Sequence, residues 1–162
     1  MNKADVISRI AQMESETFSD AWSVSTLEET MCYEYNSIYV LYVIKENGNN
    51  TALQENKVRC CPIHSYQNGA VCGYVIANFV AGESELLRIA VDVSCRGRGY
   101  GRMLMKYYHE QIRCERYLLE VRAGNHPART LYEAFGYKEI GIRKKYYLNP
   151  REDGIIYERI PN

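Results

Sequence analysis

The chain has 162 residues, of which 46% are hydrophobic, 25% charged and 12% aromatic. This composition excludes a disordered or fibrous polymer and predicts one globular domain over residues 1–162. The 20 basic and 20 acidic residues cancel, which argues against a protein that coats nucleic acid or an anionic membrane. Six cysteines are too few for a disulfide scaffold, and no apolar run approaches the ~20 residues of a membrane span, so we expect a cytoplasmic protein.

Two helices are predicted near the N-terminus. Apolar residues recur there at helical spacing, at Val6, Ile7, Ile10 and Met13. Asp5 precedes them as a candidate N-cap, which predicts a first helix from Asp5 to about Glu14. The motif Ser25-Thr26-Leu27-Glu28 has the capping-box pattern and predicts a second, short helix. The loop between the helices contains Trp22, the only tryptophan of the chain.

The middle of the chain predicts strands. Runs of β-branched and aromatic residues predict strands at residues 37–44, 70–80 and 85–91, and their order along the chain favours antiparallel pairing. Residues 46–69, between the first two runs, are polar and lack a clear period. We therefore expect a long surface connection in that region.

A glycine- and arginine-rich turn follows the third predicted strand and leads into an amphipathic helix. The turn and the start of the helix contain three glycines and three arginines: Gly97, Gly99, Gly101, Arg96, Arg98 and Arg102. Glycines permit positive φ, so backbone N–H groups can face one ligand beside the positive end of the helix. Because the arginines add charge, the sequence predicts a diphosphate site. Met103 stands where a Rossmann fingerprint requires glycine or alanine, and no P-loop lysine is present.

The C-terminal part predicts a strand, a helix and two further strands. Residues 117–122 form a strand that completes a βαβ unit around the glycine-rich turn. Asn125 is a candidate N-cap for the next helix, Pro127 lies in its first turn, and Gly136 marks its end. Residues 137–147 and 155–160 predict two strands, joined by a turn-rich segment.

The loop pattern Arg96-x-x-Gly99-x-Gly101 resembles the signature with which N-acetyltransferases of the GNAT superfamily hold the pyrophosphate of acetyl-CoA. Further segments, in the same order, are similar to the RimI branch of that superfamily: residues 89–92, 119–125, 131–137, 143–147 and 152–155. The similarity covers nearly half of the chain. That branch acetylates the N-terminal alanine of a small-subunit ribosomal protein. Arg88, where the branch often carries asparagine, and the long connection before Gly69 leave the acceptor open.

The resemblance implies an α+β fold with a mixed twisted sheet flanked by helices. It also implies that acetyl-CoA is the co-substrate and that the cofactor lies in a split between strands 85–91 and 117–122. We expect no metal. Backbone groups of the first of these strands would bind the pantetheine arm, and the Val91 N–H would polarise the thioester carbonyl. The implied acetyl-CoA contacts are Ile89, Ala90, Val91, Arg96, Gly97, Arg98, Gly99, Tyr100, Gly101, Arg102 and Asn125.

Acetyl transfer to an amine requires a base for the ammonium proton and an acid for the departing thiolate. Glu120 is an acid inside an otherwise strand-forming run, and the resemblance implies that it is the general base. An ion pair with Arg122 or another cation is the alternative. Tyr132 matches the family's general acid, and a tyrosine pKa near 10 keeps its proton in place at neutral pH. Cys95 has no adjacent histidine, so we expect direct transfer without an acetyl-enzyme.

The expected acceptor is the N-terminus of a protein or peptide, with Trp22, Tyr146 and Tyr147 as the walls of its slot. Acids such as Glu28 or Glu85 could attract its positive charge. Two alternatives remain open: acetylation of lysine side chains or a small amine, and a CoA-binding module without turnover. The adjacent pair Cys60-Cys61 lacks the Cys-x2-Cys spacing of structural zinc sites, which argues against a metal there.

Overall fold

The computed structural model describes residues 3–44 and 57–161. The helices of this part are α1 (Lys3–Thr17), α2 (Val24–Thr30), α3 (Tyr100–Gln111) and α4 (His126–Ala134). Its strands are β1 (Asn36–Ile44), β2 (Lys57–Pro62), β3 (Ala70–Val80), β4 (Glu83–Val91), β5 (Arg116–Arg122), β6 (Lys138–Leu148) and β7 (Arg151–Arg159). The strands form one sheet in the order β2-β1-β3-β4-β5-β7-β6. Neighbours are antiparallel except β4 and β5, which are parallel and connected through α3. The α+β fold and the βαβ unit predicted from the sequence are confirmed.

The central parallel strands separate toward their carboxyl ends. β4 and β5 pair only through residues 83–86 and 116–119, so the edge of β4 that faces β5 is unpaired from Leu87 onward. The register between β3 and β4 shifts at the same point, because Arg88 pairs with Ile76 while Leu86 pairs with Ala77. This leaves Leu87 as the extra residue of a β-bulge, which bends the strand and increases its twist. The split between the strands is therefore produced inside the sheet itself.

Each face of the sheet carries a hydrophobic core. Side chains of β1 alternate between them: Leu41 packs on the side of α3 and α4, and Val40 packs on the side of α1 and α2. Leu104 of α3 is fully buried, and a Cβ on Gly73 of β3 would lie 3.0 Å from its Cδ1 atom. The absence of a side chain at Gly73 thus permits α3 to pack directly on the sheet.

Leu104→Ala should lower the free energy of unfolding by about 2–5 kcal/mol, since it removes a fully buried side chain at a close helix–sheet contact. The neighbouring Met103 is 38% exposed, and Met103→Ala should change stability by no more than about 0.5 kcal/mol. Urea denaturation followed by circular dichroism measures both values. Equal losses in the two variants would contradict the assignment of Leu104 to the core.

Three local predictions were wrong. α1 already includes Lys3, so Asp5 lies in the first helical turn, where its charge favours the helix dipole, and is not the N-cap. The N-cap of α2 is Ser23, whose side chain accepts a hydrogen bond from the Thr26 N–H, and Ser25 lies within the helix. Part of the expected surface connection is strand β2, which pairs with β1 at the sheet edge. Residues 46–56 of that connection lie outside the described residues.

β6 has the predicted length but is shifted by one residue, to Lys138–Leu148, whereas β7 is longer than predicted, because it begins at Arg151. They form a hairpin whose turn closes around Asn149. The helix before them follows its prediction: Asn125 caps α4 and Gly136 adopts a φ of +83° after its end.

Within the described ranges, no helix has the length and apolar character needed to cross a bilayer.

Candidate active site

A cavity of about 590 Å³ occupies the split between β4 and β5. Its walls come from both strands, from the loop after α1, from the glycine-rich turn and from α4. Most of the residues predicted to contact acetyl-CoA lie at the cavity wall: Ile89, Ala90, Val91, Arg96, Gly97, Gly99, Tyr100, Gly101 and Asn125. The cavity therefore lies in the split between strands that the resemblance implied for the cofactor.

The glycine-rich turn borders this cavity with its backbone. Gly97 and Gly99 have φ values of +76° and +77°, and a Cβ on either residue would meet no atom of the described chain within 4 Å. Gly99 is the N-cap of α3, so unpaired N–H groups and the positive end of the helix dipole lie beside this open space. Gly101 has a different role, because a Cβ there would lie 3.3 Å from Leu131 of α4. The glycines thus combine an anion-binding end with close helix packing.

The three arginines of the turn do not lie together. Arg96 is at the cavity wall, and its Nε donates a hydrogen bond of 3.1 Å to the Val91 carbonyl. Arg98 and Arg102 are exposed and are not among the wall residues. The Arg102 guanidinium lies 5.7 Å from the centroid of the Phe135 ring. In the described structure, only Arg96 of the three is placed directly on the cavity.

Tyr132 of α4 lies at the wall of the same cavity and is 5% exposed. Burial, with a smaller contribution from Tyr147, raises the pKa of its phenol above the ordinary value of 10. Among the residues that the structure describes, none forms a hydrogen bond with the Tyr132 hydroxyl. A protonated phenol is therefore available to a group that enters the cavity.

A second cavity, of about 520 Å³, adjoins the first. The predicted acceptor residues Trp22, Tyr146 and Tyr147 all line it. The residues that line both cavities are Ser19, Asp20, Leu86, Leu87, Arg88, Glu120, Arg122 and Tyr147. We call these shared residues the neck. Glu120 belongs to it, so the predicted base lies where one space meets the other.

Glu120 forms an ion pair with Arg143, a residue outside the neck. Arg143 of β6 donates a hydrogen bond of 2.7 Å from Nη1 to Glu120 Oε1, and its guanidinium lies 3.9 Å from the centroid of the Tyr146 ring. The cation that pairs with Glu120 is thus Arg143 and not the Arg122 considered from the sequence. Arg143 is about half exposed, so the pair is open to solvent and to an incoming ligand. Burial, followed by the charge of Glu120, raises the pKa of Tyr147 to about 12.

Arg122 of β5 links the loop after α1 to the β6–β7 hairpin. Its Nη2 donates hydrogen bonds of 2.8 Å to Ser19 Oγ and 2.9 Å to the Asn149 carbonyl. Its guanidinium also lies 4.1 Å from the centroid of the Tyr147 ring. One side chain of β5 therefore holds both the loop after α1 and the tip of the β6–β7 hairpin.

Comparison with known proteins identifies the family. Residues 7–137 match the Acetyltransferase (GNAT) family. The chain belongs to that family. Over 95 residues, 56% of the chain, it is 38% identical to the [ribosomal protein bS18]-alanine N-acetyltransferase of Escherichia coli K12. The match covers 64% of that relative, and the chain spans just under two thirds of the length of the curated relatives it matches first.

Solved structures agree with the GNAT assignment. The ribosomal-protein-S18-alanine N-acetyltransferase from Escherichia coli superposes with a TM-score of 0.72 and 26% identity, over 99% of this chain and 90% of that one. Arabidopsis thaliana NAA60 in complex with acetyl-CoA gives a TM-score of 0.66 over 97% of this chain and 95% of that one. At 17% identity, the second likeness shows the fold alone. The resemblance to the GNAT superfamily and its RimI branch is confirmed.

The cysteines of this GNAT chain lie apart from the neck. Cys60 and Cys61 are half-buried on the edge strand β2, and burial raises the pKa of Cys60 to about 11. No cluster of three or more histidine, cysteine, aspartate or glutamate side chains is placed to hold a metal ion in the part of the chain that the structure describes.

Sequence reasoning assigned no role to two arginines of the neck region, Arg88 and Arg143. Arg88 was noted only as a departure from the branch, although it interrupts an apolar strand in the same way as Glu120. A charged residue inside an otherwise apolar strand was therefore a usable signal for Arg88 as well as for Glu120. Arg143 gave no such signal, because it precedes two lysines on an exposed edge strand.

Proposed function

We propose that this GNAT protein transfers the acetyl group of acetyl-CoA directly to the α-amino group of a protein N-terminus. The N-terminal alanine of a ribosomal protein is the specific acceptor we propose, in line with the names of the relatives in Escherichia coli and Bacillus subtilis. The observation that carries the proposal is the position of Glu120 in the neck between the two cavities. We further propose that residues 1–162 act as one cytoplasmic domain.

The first cavity fits acetyl-CoA by its own features. The open space at Gly97 and Gly99, next to the N-terminus of α3, suits the pyrophosphate, with Arg96 as a flanking cation. The unpaired edge of β4 from Leu87 to Val91 offers backbone donors and acceptors for the amides of the pantetheine arm. Acetyl-CoA would supply the activated acyl group as a thioester. Asn125 and the Val91 N–H are proposed as further contacts.

In the proposed reaction, one residue of the chain would accept a proton and another would donate one. An α-ammonium has a pKa of about 7.7–8.0, so the Glu120 carboxylate, directly or through water, needs to accept a proton that is only weakly held near neutral pH. The Tyr132 hydroxyl, kept protonated by burial, would donate its proton to the departing thiolate. Because Arg143 contacts one oxygen of Glu120 from the exposed side, the ion pair can hold the carboxylate without filling the neck.

The second cavity would receive the acceptor peptide. Trp22, Tyr146 and Tyr147 give it aromatic walls. Among the charged residues at its wall, Asp20 pairs with Arg88 and Glu120 pairs with Arg143. Glu85 also lies at the wall, is exposed, and forms no ion pair with the described residues. This free carboxylate favours a cationic acceptor such as an N-terminal ammonium.

The deciding experiment measures acetyl-CoA turnover on three peptides: one that begins with alanine, its N-terminally blocked form, and a blocked peptide with a central lysine. Turnover on the first peptide alone supports α-amino acetylation. Turnover on the lysine peptide contradicts it and favours the lysine alternative. Binding of acetyl-CoA without turnover on any peptide would leave a small-amine enzyme or a CoA-binding module.

The glycine-rich turn gives a second test. Gly99→Ala should weaken acetyl-CoA binding by about 10-fold, since a left-handed φ disfavours alanine by roughly 1–2 kcal/mol and the backbone must shift at the anion-binding end. Gly82→Ala is the matched control, because Gly82 has a φ of +85° in a turn outside both cavities. Isothermal titration calorimetry should show unchanged affinity for the control. Equal affinity in both variants would argue against pyrophosphate at this turn.

A further inference from the structure

Arg88 connects the central strand β4 with the loop between α1 and α2. It lies directly after the β-bulge at Leu87, and its side chain is 15% exposed. Its Nη2 donates hydrogen bonds of 3.1 Å to the Asp20 carbonyl and 2.9 Å to Asp20 Oδ2. Its guanidinium lies 4.9 Å from the ring centroid of Phe18 and 5.0 Å from that of Trp22. One side chain thus holds both the backbone and the aromatic residues of the loop.

A buried carboxylate completes this arrangement. Glu14, at the end of the buried face of α1, is fully buried, and its Oε2 lies 3.6 Å from Arg88 Nε. Glu14 also accepts hydrogen bonds from the Tyr74 hydroxyl and, at 2.9 Å, from the Trp22 N–H. The Arg88 Nε atom is buried without a hydrogen-bond partner in the described structure, so on this side the guanidinium is held by its ion pair with Glu14, while Asp20 holds the other side.

The loop held by Arg88 forms part of the neck. Ser19 and Asp20 line both cavities, and Arg88 itself lies at both walls, as does Glu120. A shift of Asp20 would therefore change the width of the passage through which an acceptor reaches Glu120. Trp22, on the same loop, lines the acceptor cavity.

We propose that Arg88 is a positioning residue that sets the width of the neck and thereby selects the first side chain of the acceptor. The inference rests on the proposed function, because it concerns the acceptor of that reaction. In this arrangement the arginine holds the loop close to β4, and the neck width set in this way favours acceptors with a small first residue. A loop released from Arg88 admits bulkier first residues.

The test compares kcat/KM for two peptides that differ only in the first residue, alanine or leucine. In Arg88→Lys, which keeps the charge but loses the planar fork, the preference for alanine should fall at least 10-fold relative to wild type. Asp20→Asn should change the ratio in the same direction. A merely structural role would lower both values together and leave the ratio unchanged, which would overturn the proposal.

Two further measurements make the result specific. Arg9→Lys is the matched control, because Arg9 links α1 to Asp92 after β4 by a similar ion pair outside both cavities, and its ratio should equal that of wild type. Acrylamide quenching of Trp22, the only tryptophan, should increase in Arg88→Lys. If Arg88→Lys does not fold, Asp20→Asn carries the test, since the Asp20 side chain is 55% exposed.

The outcomes separate the two proposals. Wild-type turnover on α-amino peptides with an unchanged ratio in both variants would overturn the role of Arg88 alone. No wild-type turnover on any α-amino peptide would overturn the proposed function and, with it, the role of Arg88 toward the acceptor. A changed ratio in the Arg9→Lys control as well would also contradict a specific role for Arg88.

Discussion

Glu120→Gln should lower kcat for an alanine-initiated peptide by about 10²–10³-fold, within the range typical of a lost general base. The amide keeps the shape of the side chain but cannot accept the proton of the acceptor ammonium. The carboxylate lies in the neck, so acetyl-CoA binding should change by less than about 3-fold. Stability should change by no more than about 1 kcal/mol, because the Arg143 partner is about half exposed. Steady-state kinetics, calorimetric titration and urea unfolding give the three quantities.

The matched control for this variant is Glu110→Gln. Glu110 is an exposed carboxylate of α3, paired with Lys106 and absent from both cavity walls. Its substitution should leave kcat and acetyl-CoA affinity unchanged. A kcat in Glu120→Gln within about 3-fold of this control would mean that the acceptor loses its proton elsewhere.

Tyr132→Phe should lower kcat by about 10²-fold, since it removes the proposed donor of a proton to the leaving thiolate. The melting temperature should change little, because the hydroxyl forms no hydrogen bond with the described residues. The raised pKa fixes the sign of the pH dependence: the phenol stays protonated up to its ordinary value of 10 and beyond. Wild-type kcat should therefore not decline below pH 10 through ionisation of Tyr132. A pH profile of both enzymes and a thermal melt check these points.

Tyr107→Phe provides the comparison. Tyr107 is a half-buried tyrosine of α3, in edge-to-face contact with Tyr39 and outside both cavity walls. Its kcat should equal that of wild type. If Tyr132→Phe also retained full kcat, the thiolate would not depend on this phenol. If its melting temperature fell sharply, the Tyr132 hydroxyl would stabilise the fold through an interaction that the described residues do not show.

The elements predicted best are those whose signals are local. β3 has the predicted bounds, because its β-branched and aromatic run ends at residues unsuited to a strand. α4 follows from Asn125 and Pro127 at its start and Gly136 after its end, each of which acts through its own backbone conformation. The glycine-rich turn is of the same kind, since positive φ at Gly97 and Gly99 is a property of the residue type.

The elements predicted worst depend on partners distant in the sequence. β2 is short and only partly buried, and it is a strand because it pairs with β1 at the sheet edge. Lys57, Val58, Arg59 and Cys60 do alternate in burial, but four residues are too short a run to indicate that pairing from the sequence. The beginning of β7 was likewise missed, since Arg151 pairs with Leu148 across a hairpin turn rather than through an apolar run.

For the site, the sequence by itself determined the residue types: an acid and an arginine inside apolar strands, a tyrosine on a helix, and a glycine-rich turn at a helix start. Family resemblance added their expected roles. The tertiary structure decided which charges meet. Glu120 pairs with Arg143, 23 positions later, and Arg88 reaches Asp20, 68 positions earlier. Such pairs arise because folding brings distant segments together: Glu120 and Arg143 lie on β5 and β6, which flank β7, and Asp20 lies in the loop after α1. No local pattern of residues specifies which of several cations will be the neighbour.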